Sequence, residues 1–125
     1  MPITIGKYFS YTRSGERKNN VDIISVVKEF EKRWVGELFI NSIDRDGTFI
    51  GYDTDLINMI AESLTIPVVA CGGAGNINHL KDAIINGKAS AVAAGSMFVF
   101  NGKHKAVLIS YPSQQELITN LYSQI

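Results

Sequence analysis

The chain has 125 residues, 46% hydrophobic and 19% charged, which is enough apolar material for one packed domain and too little charge for a disordered one. Twelve basic side chains balance twelve acidic ones, so no net field gathers nucleic acid or anionic lipid, and any anion must be gripped locally. The single cysteine excludes an internal disulfide framework, no apolar run reaches bilayer length, and Met1–Ser10 lacks the basic start and apolar core of a signal peptide, so a soluble, cytoplasmic chain is expected.

Ile3 to Thr12, rich in aromatic and β-branched residues, predicts a strand or half a hairpin ending at Ser14-Gly15. The charged piece Arg13 to Asn20 reads as a loop. From Asn20 the period changes: Ile23, Val26, Val27, Phe30 and Trp34 recur at helical spacing opposite a charged face, which places Trp34 in the core and lets Gly36 close the helix. Glu37 to Asn41 follows as a strand. Asp53 or Thr54 caps a second helix with Leu56, Ile57, Ile60 and Leu64 on one face, and Pro67 ends it. Val68 to Cys71 is a strand, Ile77, Leu80 and Ile84 mark a helix ending near Gly87, and Ala89 to Ala94 is another strand. After GSMFVFNGKHK comes a last helix around Gln114 to Leu121, with Leu117, Ile118 and Leu121 on one stripe.

Strands alternating with helices, and strand sequences that barely alternate in polarity, predict a parallel sheet buried on both faces. Right-handed crossovers then bring three loops to one sheet edge: Ser42 to Asp53, Gly72 to Asn76, and Gly95 to Met97. Two readings of the glycines stay open. They let the chain turn, or they bare backbone N–H groups at helix starts for a phosphate, as between the last two loops of an eight-stranded β/α barrel. GGAG fits neither the dinucleotide fingerprint nor a nucleoside triphosphate loop. In NSIDRDGT, Asp44 and Asp46 could share acid and base work, or one of them could brace the loop through Arg45 and Thr48. His79 reads as a surface or packing residue and His104 as solvent-exposed. Cys71 reads as a small apolar residue, and neither a metal site nor a cofactor is expected.

The runs GELFINSIDRDGTFIGYDTDLI, IPVVACGGAGNINHLKDAI and ASAVAAGSMFVF together resemble the second half of the cyclase subunit of imidazole glycerol phosphate synthase. The likeness is close over Gly36 to Phe100 and looser back to Tyr8. It implies an α/β fold, the C-terminal half of a (β/α)8 TIM barrel with parallel strands inside and helices outside, in one partial domain over residues 1–125. In that family ammonia from a glutaminase partner converts a phosphoribulosyl formimino ribonucleotide into imidazole glycerol phosphate and an aminoimidazole carboxamide ribonucleotide, and each barrel half holds one substrate phosphate. Carried onto this sequence, the second-half phosphate site falls on Gly47, Thr48, Gly73, Ala74, Gly95 and Ser96, and the acid beside the reacting centre on Asp46.

The family also uses two aspartates, on its first and fifth strands. The first strand has no counterpart here, and where the fifth should end in aspartate this chain offers MPIT, with no acidic residue before Glu16. The resemblance thus implies one phosphate grip without a complete reaction centre, and association with a first-half partner or with itself. GKHKAVLISYPS resembles a cyclase-like branch encoded with surface-sugar genes, which brings in sugar amidation. A non-catalytic subunit that stabilises a glutaminase, or a small flavodoxin-like phosphate-binding domain, are the alternatives.

Overall fold

A computed structural model describes residues 8–125. The expected start of the first strand at Ile3 and the piece MPIT lie outside the described residues. The chain opens with an antiparallel hairpin, β1 (Phe9–Thr12) and β2 (Arg17–Asp22), in which Thr12 faces Arg17. Part of the piece expected to be loop is therefore strand. Its charged composition misleads because a two-stranded hairpin open to solvent needs no buried face, and Asn19 Nδ2 donates to Ser10 Oγ while the Lys18 ammonium lies 3.8 Å from the Phe9 ring centre.

Helix α1 (Ile23–Lys32) starts where Asp22 accepts the Ser25 amide. It ends in a left-handed cap at Trp34 (φ 66°), with Val35 N donating to Phe30 O and Trp34 N to Glu31 O. This corrects two expectations, since the helix closes at Trp34 rather than Gly36, and Trp34 is 94% exposed rather than core. A residue that has left helical geometry no longer follows the 3.6-residue stripe, and its ring swings off the apolar face.

Three strands form the main sheet: β3 (Leu38–Asn41), β4 (Val68–Cys71) and β5 (Ala91–Val92), in the order β3-β4-β5, all parallel. Between them run α2 (Thr54–Ser63), capped by Asp53, and α3 (Ile77–Ile85), capped by Asn76. Ser90 N to Val68 O and Ala93 N to Ala70 O extend the short β5 ladder at both ends. A four-residue helix α4 (Ser96–Val99) leads into a second hairpin, β6 (Phe100–Asn101) and β7 (Ala106–Val107). Finally α5 (Gln114–Asn120) begins with a Ser113–Glu116 capping box. Leu121 is buried beside Leu80 and Ala83 of α3, whereas Ile118 is 44% exposed and lies off the expected stripe.

All the helix packing falls on one side of the sheet. Val27, Leu56, Ile60 and Val68 form one buried cluster, joined by Leu38 and Ile40, and Ile57, Ala70, Leu80 and Ala83 belong to another. Burial of a side chain like Ile60, which is 0% exposed, stabilises by about 1.5–3 kcal/mol. Side chains alternate along a strand, so Phe39, Asn41, Val69 and Cys71 point to the opposite face. There Phe39 is 57% exposed, so among the described residues the second face is not covered, against the expectation of strands buried on both sides.

Candidate functional site

Because the three strands run parallel in register, Asn41, Cys71 and Val92 end at the same edge of the sheet. Their loops meet there as the sequence predicts. The first begins by extending the ladder, with Ser42 N donating to Cys71 O at 3.0 Å, and then turns tightly as Asp46 N donates to Ser42 O and Thr48 N to Arg45 O. It returns across the other two loops: Gly51 N donates to Gly73 O at 2.8 Å, and the Tyr52 hydroxyl donates to Ala93 O at 2.7 Å. Tyr52 is buried, and that burial pushes its phenol well above the usual range, so it stays a hydrogen-bond donor.

The glycines at this edge do different work. A Cβ on Gly73 would stand 2.1 Å from the Gly51 carbonyl oxygen, and Gly73 has φ 109°. It is glycine because the first loop lies directly on it. Gly95 has φ −123° and nothing within 4 Å of its would-be Cβ, so its missing side chain relieves no internal contact. Of the six candidate grip residues, only Thr48 has its amide taken by a protein acceptor among the described residues. Its hydroxyl also turns inward, donating to Arg45 O at 2.5 Å.

Asp44 and Asp46 are both exposed, and the two ion pairs among the described residues, Arg33–Glu29 and Lys88–Glu62, involve neither. The bracing expected of one carboxylate is done instead by the Thr48 hydroxyl on the Arg45 carbonyl, with Arg45 Nη1 reaching Gly51 O at 3.5 Å. Asp46 nonetheless acts on the tip of β4. Burial pushes the Cys71 thiol up, the Gly72 amide pulls it back, and the Asp46 carboxylate raises it further. A raised thiol is a poor nucleophile, which agrees with Cys71 as a small apolar residue.

His79 accepts the Gly75 amide on Nδ1 at 3.0 Å and packs its ring beside Gly51, so it holds the glycine turn rather than offering a free base. The spacing Asn76-x-x-His79, a cap followed three residues later by a side-chain acceptor, was the signal for this brace. His104 is exposed. Among the described residues no three His, Cys, Asp or Glu side chains gather to hold a metal, and no helix is long and apolar enough to cross a membrane. Two residues at the edge carried no obvious sequence signal: Tyr52, which ties the first loop to the third, and Lys105, whose ammonium donates to Gly47 O at 3.1 Å from the second hairpin.

Comparison with known proteins bears on the family. The sequence profile of a family described as "Histidine biosynthesis protein" matches residues 4–105. A Pseudomonas aeruginosa protein provisionally named as an imidazole glycerol phosphate synthase subunit is 46% identical over 90% of this chain and 45% of its own length. The imidazole glycerol phosphate synthase subunit HisF of Nostoc is 42% identical over 91% of this chain and 44% of its own, and that of Trichormus variabilis 41% identical over 90% and 44%. The chain thus spans less than half the length of these curated relatives. With the profile covering most of the sequence and relatives this similar, the chain belongs to the histidine biosynthesis protein family.

Proposed function

We propose that the chain is a half (β/α)8 barrel of the imidazole glycerol phosphate synthase kind, seating one phosphate of a phosphorylated ribonucleotide-type substrate and presenting Asp46 beside it. The observation that carries this reading is the meeting, at one edge, of three loops in which the amides of Gly47, Gly73, Ala74, Gly95 and Ser96 have no protein acceptor among the described residues. The start of α3 follows the second loop and adds its partial positive charge. Asp46, exposed on the first loop, is the proton carrier of this half.

Residues 1–15 contain no Asp or Glu to stand for the fifth-strand aspartate of the resemblance, so in this reading both family aspartates are supplied from outside these residues, with a first half-barrel, and ammonia from a glutaminase subunit. Turnover therefore requires both partners. The second hairpin and its GKHKAVLISYPS sequence favour a second reading, in which the same grip holds an amidinated sugar precursor.

Thermal melting tests the grip. Phosphate at a hundredfold excess over its Kd should stabilise the fold by about 2.7 kcal/mol, a rise of several degrees in Tm. Gly95→Val, which meets no atom within 4 Å at its Cβ, should fold normally and lose that rise. A wild-type curve unmoved by millimolar phosphate would refute the grip.

A further inference from the structure

Between the second hairpin and the three loops lies a cleft of about 320 Å3, near the lower size of a small-ligand site. Its walls include Phe49, Gly75 and Met97 on the loop side and Lys103 and Lys105 on the hairpin side. Each loop-side residue directly follows a candidate grip residue: Phe49 follows Thr48, Gly75 follows Ala74, and Met97 follows Ser96. The hairpin therefore covers the outer side of the proposed phosphate seat.

No carboxylate lines this cleft, and neither lysine belongs to an ion pair among the described residues. The Lys105 ammonium donates to Gly47 O at 3.1 Å and stands 5.2 Å from the Phe49 ring centre. One of its three donors is thus used to hold it, leaving two to offer. Peptide amides alone supply hydrogen bonds without a full positive charge, and a chain of zero net charge has no general field to make up the difference. A pre-positioned ammonium at the rim supplies it, with less ordering cost than a free lysine.

We propose that Lys105, with Lys103 beside it, is the charged clamp that makes this site select a phosphate monoester dianion. The inference rests on the grip proposed above and goes beyond it, by assigning selectivity to a hairpin outside the three loops.

Isothermal titration with inorganic phosphate, at low and high NaCl, tests it on the whole chain. Lys105→Met should weaken binding by about tenfold and flatten the salt dependence, because a charge-assisted bond is lost. Lys105→Arg should restore most of both, and Lys28→Met, on the exposed face of α1, should change neither. Circular dichroism melts show whether each variant is folded, and Lys105→Gln replaces Lys105→Met if the latter is not. If wild type binds phosphate, Gly95→Val does not, and Lys105→Met binds like wild type with an unchanged salt slope, the clamp is overturned while the grip stands. If wild type binds no phosphate, both fall.

Discussion

Gly73 and Gly95 look alike in the sequence, each a small residue after an apolar strand, yet they answer to different constraints. Gly73 is pressed against the Gly51 carbonyl and sits in left-handed backbone, so Gly73→Ala drives a methyl group into backbone atoms. The expected cost is about 3 kcal/mol or more, read as a lowered urea midpoint with an unchanged m-value. Gly95→Ala should leave that midpoint where it is. The sequence could not separate the two, because the difference depends on where the first loop returns, at Gly51, well outside any local pattern. Trp34 makes the same point in reverse. Its spacing from Phe30 is helical, but its backbone is not, and only the cap decides which way the ring points.

Elements were legible where their ends carry chemical signals. Asp53 and Asn76 mark helix starts, Pro67 and the glycines mark stops, and the apolar strand runs between them are unmistakable. The first hairpin was only half legible, because β2 has no buried face to write an alternating pattern. One tie between elements was invisible: Glu31, on α1, accepts hydrogen bonds from Thr65 N and Oγ1, both at 2.6 Å, and from Ile66 N. These bonds, the Thr65 hydroxyl's first, hold the Glu31 carboxyl below its ordinary value of 4.5. A carboxyl whose folded pKa is depressed gives stability that is complete above its unfolded value and lost as pH falls through the folded one. Glu31→Gln should therefore lower Tm at neutral pH and narrow its gap to wild type as pH drops below about 4.5, a trend that melts across an acid series can check.

At the scale of the molecule, the parallel order of β3, β4 and β5 follows from strand and helix alternation, and so does the gathering of the three loops at one edge. Which faces are covered does not follow, since apolar residues on a strand look the same whether their cover comes from the same chain or another. Here the helices take one side, with Phe39 exposed and Val69 half-buried on the other, while a hollow of about 600 Å3 runs along β3 under the first hairpin, lined by Phe39 and by Leu38, Ile40 and Ile60 of the helix side. An apolar sheet face and a strand that pairs on one side only, among the described residues, are features that chains cover by association. Light scattering at micromolar concentration should give a mass above that of one chain, and a folded monomer there would count against this.

Cys71 lies on that same uncovered face, and it is the molecule's only thiol. Any subunit that comes to rest on the sheet must shield it, so its rate of alkylation by iodoacetamide, followed at alkaline pH where the raised thiol ionises, becomes an internal footprint of assembly without the need for an added label.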